Sequence, residues 1–356
     1  DSIKDYVTVI GATCQQSDSE YMASIKENSE RLGISFNTVI VDEAARASPL
    51  DLMIPMSMAK FRIVLVGDHL QLPHMLEPRV EKELQEQQEL DLVKSELLRM
   101  SLFEYLHRKF KTMHEKGGPE RVVMLDTQFR MHPELGSFVS QEFYERQGFE
   151  PIKSGLESGD FEHQIDGYKG CHSAWIDVPK SQGLEKRNNA SRLRIAEAKR
   201  CAAEAFKILS DHPDLSVGVI TFYSAQRDAI YQELEAFGCA IHSDDGWQIA
   251  GEFRLTKTGD ERLRVGSVDA FQGKEFDVVI LSVVRTWDSE IEMTEEELNK
   301  KLGFLRLANR INVAMSRQKR LLIVVGDKEL GTINSGNLED GMPLLPGFPA
   351  FYKLCE

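Results

Sequence analysis

The sequence predicts an α/β protein built on mostly parallel sheets, and three observations carry that prediction. Short β-branched apolar runs alternate with longer amphipathic stretches along the chain. One run, VVILSVV at 278–284, is apolar almost without a break, as a strand covered on both faces requires. The 356 residues exceed one ordinary core and suit two domains of about 150 residues each.

The elements follow in chain order. A strand is expected at Val7–Cys14 and a helix over 18–32, then strands at Thr38–Asp42 and Arg62–Gly67. The stretch Glu77–Glu96 is rich in Glu and Gln, but Leu84, Leu90, Val93 and Leu97 recur at helical spacing. It reads as a surface helix over 79–98 with one packed stripe. Ser101 and Glu104 read as a capping box for a helix over 102–115. Next come a strand at Val122–Thr127 and a helix over 133–145, with Pro133 in its first turn. Ile152–Asn189 is rich in Gly, Ser, His and charge and reads as irregular, apart from a strand at Ala174–Val178. A helix over 190–210 leads to the strand Ser216–Phe222. Ser224 is the expected cap of a helix over 224–237. Ser243–Arg262 reads as a hairpin or loop. Strands Arg264–Val268 and Asp277–Val283, a helix over 305–316 and a strand at Leu321–Gly326 complete the pattern. Gly331–Glu356, with four Gly and three Pro, reads mostly as loop. The expected division is 1–128, 129–330 and a tail 331–356, with the boundary near 126–132.

Composition sets limits on function. With 43 basic and 57 acidic residues the formal charge is −14, which argues against a phosphate-binding surface over the whole molecule but leaves room for a local basic channel. Cys14, Cys171, Cys201, Cys239 and Cys355 are odd in number and form no C-x-x-C pair. Neither a zinc site nor a disulfide framework is indicated, which fits an intracellular setting, cytoplasmic or nuclear. No stretch reaches the ~20 apolar residues of a membrane span, so no membrane partner is expected. There is no basic-then-apolar leader. The chain opens on Asp1 without Met, so residue 1 is not expected to be the natural start.

Five segments carry chemistry. In VIVDEAARAS (39–48) an apolar strand delivers Asp42 and Glu43 at its carboxyl end, where ligands sit in open α/β sheets. In nucleoside triphosphatases the first carboxylate of such a pair holds Mg²⁺, usually through water, and the second deprotonates the attacking water. A second strand, IVLVGDHLQLPH (63–74), turns at Gly67-Asp68 and places Gln71 where a γ-phosphate and its water are within reach. LDTQFRMHP (125–133) puts Arg130 directly after a strand, and guanidinium forks match phosphate oxygens. Its neighbour Phe129 is suited to pack on a base. In GSVDAFQGKEFDVVILSVVR (266–285), Gly273 permits close backbone approach, Glu275 is placed for a ribose or the γ-phosphate site, and Ser267 and Asp269 face another ligand. LANRINVAMSRQKRLLIVVGD (307–327) places Arg310 and Arg317 on one helix, seven residues apart and so on one face. Arg317 is a candidate second phosphate contact.

In this order the five segments closely resemble the second half of superfamily 1 helicases. The branch is the one holding the nonsense-mediated-decay RNA helicase, senataxin and the immunoglobulin-mu-binding helicase. The resemblance spans about 7–327, and SVDAFQGKEFDVVILSVVR with NVAMSR and QFRMHP makes it specific. It implies two RecA-like P-loop NTPase domains, the first incomplete, with ATP and Mg²⁺ in the cleft between them and a single strand of DNA or RNA across their tops. It makes Asp42 the Mg²⁺-linked acid, Glu43 the catalytic carboxylate and Gln71 the γ-phosphate sensor. Phe129 takes the place of an adenine-stacking aromatic, usually Tyr. Arg130 and Arg317 become arginine fingers, with Gly273 and Glu275 in the nucleotide cleft. Thr13 of VIGATC, Thr221 and Tyr223 of ITFYSAQR, and Ser267 and Asp269 fall on the nucleic-acid surface. Two departures stand out. Phe222 occupies a position that is usually Pro, and no G-x-x-x-x-G-K-[ST] occurs in the 356 residues. The expected reading is an ATP-dependent helicase or translocase whose phosphate-binding segment lies upstream, the piece alone having little or no turnover. The alternative is an ATP-dependent nucleic-acid-binding switch or scaffold that does not unwind.

Overall fold

Residues 9–20, 22, 36–72, 100–188, 191–287, 294–333 and 344–356 are described by a computed structural model. The chain divides into two units, Asp1–Met124 and Leu125–Glu356.

In the first unit β1 (Thr38–Val41) and β2 (Arg62–Leu65) pair in parallel, Thr38 opposite Arg62 and Val41 opposite Leu65. The connection carries α1 (Pro49–Met56), whose Ser48 cap accepts the Asp51 N–H and whose first position is Pro49. Leu52 of this helix packs with Val41 and Ala44. Helix α2 (Leu102–Glu115) starts where the sequence placed it, and Ser101 Oγ accepts from Glu104 N–H. The box is one-sided, because the Glu104 carboxylate binds Arg108 a turn further on.

One expected element is absent here. Residues 9–14 form no strand. Thr13 and Gln16 exchange side-chain and backbone hydrogen bonds that close a turn into a short 3₁₀ helix, Gln16–Asp18. The helix expected over 79–98 lies outside the described residues, as does most of that over 18–32.

The second unit begins with the short parallel pair β3 (Thr127–Gln128) and β4 (Lys153–Ser154). Then come β5 (Ser173–Asp177), the antiparallel hairpin β6 (Lys186–Asn188) and β7 (Ser191–Leu193), and β8 (Val217–Thr221). A second hairpin, β9 (Ala240–Ser243) and β10 (Gly246–Ile249), precedes β11 (Leu263–Ser267), β12 (Phe276–Ser282) and β13 (Gln318–Gly326). The main sheet is parallel throughout, in the order β11-β8-β12-β13-β5. Its helices include α3 (Pro133–Val139), α4 (Ile195–Asp211), α5 (Ser224–Ala236), α6 (Glu295–Leu302), α7 (Ala308–Ala314) and α8 (Phe348–Leu354).

The sheet core explains the apolar run. Val217, Val219, Val278, Ile280 and Ile323 pack under Ala202, Ala205, Ile208 and Leu209 of α4 and Ile230 and Leu234 of α5. The small residues of α4 let helix and sheet approach closely. On the other face Gly218 leaves space for the rings of Phe271 and Phe276; a Cβ there would stand 2.7 Å from Phe271.

Several expectations need correction. Val122–Thr127 is not a strand: only Thr127 and Gln128 pair, while Val123 and Leu125 are 81% and 78% exposed. The helix expected over 133–145 is α-helical only to Val139 and continues as a π turn, Ser140–Tyr144. Helix α4 starts at Ile195, because the residues expected to open it form β7 instead. Ser224 does not cap α5. Its hydroxyl donates to Ser191 Oγ, and Ser191 Oγ accepts the Ala225 N–H, so the adjacent hairpin supplies the cap. The helix expected over 305–316 is a 3₁₀ turn, Gly303–Arg306, followed by α7, and Arg317 lies beyond its end. The tail is not mostly loop where described: α8 buries Phe348 and Phe351 against Trp175 and Phe138.

Candidate functional site

The acid edge of the first unit is built at the carboxyl ends of β1 and β2. Val41 is buried, and the next two residues, Asp42 and Glu43, are exposed. An Asp42 carboxylate oxygen accepts the Glu43 N–H at 2.9 Å. Glu43 has φ +52°, a left-handed conformation that costs a non-glycine residue on the order of 1 kcal/mol. Backbone hydrogen bonds hold it there: Val66 N–H donates to Val41 and Ala44 N–H to Val66, each at 2.8 Å. Gly67 completes the lock, since a Cβ would come within 2.8 Å of the Ala45 nitrogen. One turn further, Gln71 Nε2 donates to Asp68 at 2.8 Å, and the other Asp68 oxygen accepts the Leu70 N–H. Asp68, which the sequence marked only as part of a turn, is therefore what orients Gln71. Among the described residues no group of three His, Cys, Asp or Glu could enclose a metal. The donor set fits a hard cation that keeps most of its water, as Mg²⁺ does on one or two carboxylates. In the same unit the Thr13 hydroxyl accepts the Gln16 N–H within its turn.

In the second unit a charged cluster forms at the amino ends of β12 and β13. Gln128 shapes the loop: its side-chain oxygen accepts the N–H groups of Arg130 and Met131, and its amide donates to Met131 and Ser154. Arg130 then donates from Nε to Glu275 at 3.0 Å and from Nη1 to the Ser316 carbonyl at 3.2 Å. Lys319 binds the other Glu275 oxygen at 2.9 Å. Burial pushes the Glu275 carboxyl up, but hydrogen bonds from Lys319 and Arg130 outweigh it and leave its pKa below the usual range. Arg317 is buried, with Nε on the Val313 carbonyl and Nη2 on Ser316 Oγ. Arg130, Glu275 and Arg317 thus meet around Ser316, with Gly273 (φ +72°) forming the turn before Glu275. Phe129 is 65% exposed and its ring abuts Gly155, where a Cβ would stand 2.1 Å from the ring. The exposed ring leaves aromatic surface open to solvent, where a base could pack.

The carboxyl edge of the same sheet holds the remaining candidates. Ser267 and Asp269 are half-buried, and Asp269 pairs with Arg310 at 2.9 Å. Thr221 and Tyr223 are buried. The Thr221 hydroxyl has no hydrogen-bond partner among the described residues. Tyr223 Oη accepts from Arg285 Nε at 2.6 Å, and the same guanidinium lies 5.3 Å from the tyrosine ring centre. Burial raises the Tyr223 pKa, opposed by Arg285. Gln128, Lys319 and Arg285 escaped sequence reasoning. Gln128 and Lys319 adjoin residues already singled out, which is the signal that was available.

A family model described as an AAA domain matches residues 98–329, and a second with the same description matches residues 1–77. Similar curated proteins include the ATP-dependent helicase NAM7 of Saccharomyces cerevisiae, 30% identical over 84% of this chain and 26% of its own length. Helicase sen1 of Schizosaccharomyces pombe is 26% identical over 83% of this chain and 15% of its own length. Probable helicase senataxin of Homo sapiens is 26% identical over 83% of this chain and 9% of its own length. The chain belongs to the AAA domain family, in the superfamily 1 branch of the nonsense-mediated-decay and senataxin-type helicases. It spans about a quarter or less of the length of these three relatives.

Proposed function

We propose that this chain is the hydrolysis-and-grip portion of an ATP-driven helicase or translocase acting on single-stranded DNA or RNA inside the cell. The observation that supports it most is the Asp42-Glu43 turn. Two adjacent carboxylates stand at the end of a parallel strand, one in a left-handed conformation held by the neighbouring strand end, with Gln71 aimed by Asp68. Asp42 would hold Mg²⁺, which when bound neutralises phosphate charge. Glu43 orients the attacking water and accepts its proton, and Gln71 senses the γ-phosphate. Arg130 and Arg317 supply positive charge to the phosphates, Arg130 by sharing or releasing Glu275 and Arg317 by releasing Ser316. Phe129 receives the base, with Gly273 and Glu275 beside the nucleotide. Thr13, Thr221, Tyr223, Ser267 and Asp269 support the polymer track. The division at 1–128, 129–330 and 331–356 is part of this reading. The phosphate cradle is supplied by a glycine-rich segment outside these 356 residues.

The test is ATP turnover by the parent protein with and without single-stranded DNA and RNA, beside Glu43→Gln. Turnover stimulated by one polymer and reduced at least a hundredfold in the variant is the expected result, general-base contributions being about 10²–10⁴. Turnover indifferent to both polymers would favour a nucleotide switch.

A further inference from the structure

The ladder between β12 and β13 is irregular at its start. Phe276 is opposite Gln318 and Val278 opposite Leu321, so β13 carries one residue more than β12 over this step. Lys319 and Arg320 occupy the stretch where β12 has only Asp277. A bulge of this kind re-aims side chains, and bulges are common beside active sites. Here it divides two cations between two carboxylates. Arg320 Nε goes to Asp277 at 3.0 Å, inside the ladder. Lys319 Nζ goes to Glu275 at 2.9 Å, the residue before β12. The Lys319 carbonyl accepts the His132 N–H at 2.8 Å, so the same residue also fastens the loop that presents Arg130.

Glu275 is therefore a shared carboxylate. One oxygen accepts from Arg130 Nε at 3.0 Å and the other from Lys319. A carboxylate bonded at one oxygen can rotate about its last bond; bonded at both, it is fixed in orientation. Burial opposes the charge on Glu275, and the two cations together keep it ionised. Arg130 in turn spends only part of its donor fork. Among the described residues its side chain uses Nε on Glu275 and Nη1 on the Ser316 carbonyl, which leaves the Nη2 donors for a phosphate oxygen. The Arg130, Lys319 and Glu275 side chains are 33%, 38% and 45% exposed. Ion pairs so exposed add little to stability, so stability does not explain why the strand is bulged to aim Lys319 at Glu275.

We propose that Lys319 is a positioning residue for Arg130: by holding the second Glu275 oxygen it fixes the first against Nε, so that Arg130 keeps its Nη2 donors turned to the phosphates during hydrolysis. The proposal rests on the hydrolysis reading above and adds to it the residue that aims its phosphate contact. The test is ATP turnover by the parent protein at saturating single-stranded DNA or RNA, for the wild type, Lys319→Met, Lys319→Arg, Arg130→Ala and the double variant Arg130→Ala/Lys319→Met. Single-turnover rates keep the slow variants measurable. Lys319→Met leaves the backbone bond to His132 in place, so the anchor of the Arg130 loop survives. Its kcat should fall about tenfold, the worth of one charge-assisted hydrogen bond, with kcat/KM falling equally, because an aimed charge acts in the transition state. Lys319→Arg should regain most of the loss, which a loss of packing alone would not allow. On the Arg130→Ala background Lys319→Met should cost nothing further. Full turnover in Lys319→Met beside a defective Arg130→Ala overturns the positioning role and leaves the hydrolysis reading in place. An equal loss with and without Arg130 overturns it as well, since Lys319 would then act on its own. Full turnover in Arg130→Ala overturns the phosphate contact and the proposal together.

Discussion

At the scale of single residues, the loop that presents Arg130 is anchored through a histidine. His132 caps α3 by accepting the Glu134 N–H, while its own N–H donates to the Lys319 carbonyl, beside the lysine that binds Glu275. Its ring stacks on His172 at 3.5 Å, and His163 meets His172 edge-on at 5.5 Å. Burial first, then His172 and His163, lower the His132 pKa from 6.5 to about 4. The folded protein thus holds this imidazole neutral where the unfolded chain would protonate it. The resulting stability is fully present above pH 6.5 and is lost as pH falls toward 4. Asn at this position keeps a capping oxygen without a titrating ring. In His132→Asn the melting temperature should therefore fall less steeply over that pH window than in the wild type. Equal slopes would remove His132 from the account, leaving His163, whose pKa burial also lowers.

At the scale of elements, a buried ionic network fastens the hairpin, α4, α5 and β12 together. Arg194 reaches Glu197 at 3.0 Å and the carbonyls of Gly183 and Pro179. Glu197 also accepts from Ser282 Oγ and Val284 N–H, and Gln226 links Arg194 to Ser282. Burial pushes the Glu197 carboxyl up to about 7 against the pull of Arg194 and the other donors. Removing the guanidinium with Arg194→Met should cost about 3–5 kcal/mol in denaturant unfolding, and adding Glu197→Leu should recover part of it. A double variant as unstable as the single one would contradict this account. None of this network was legible in the sequence, because pairing depends on which helix starts face one another. The interior strands were legible, since β8, β12 and β13 are apolar through burial on both faces. Val122–Thr127 shows the limit of that signal: the residue types suit a strand, but no ladder forms beyond Thr127–Gln128. Hairpin β6–β7 failed in the other direction, its charged residues hiding a pairing that an apolar pattern would have announced. Of the candidate site, the side chains at strand ends were legible as types and positions. Their second partners, Asp68, Gln128 and Lys319, were not, because each acts through geometry.

At the scale of the whole molecule the described parts of the two units differ sharply in how much core they hold. Leu125–Glu356 contains the five-stranded sheet, the cluster beneath α4 and α5, and the aromatic packing of α8. In the described part of Asp1–Met124 the buried cluster is Val41, Ala44 and Leu52, and the two-stranded sheet leaves Ile40 68% exposed and Ile63 42% exposed. A two-stranded sheet with so little cover is marginal by itself. Among the described residues most of the buried core therefore lies in the second unit, which should unfold cooperatively by itself. Expressed alone, Leu125–Glu356 should unfold in urea as a single cooperative transition, with a midpoint matching the more stable transition of the full chain. Its slope should be smaller than that of a transition spanning all 356 residues, because less surface is exposed. A fragment that unfolds gradually, or at clearly lower urea, would show that the sheet depends on residues before Leu125 for its stability. A matching midpoint would establish that the Arg130–Glu275 cluster is assembled by one unit and can be measured there.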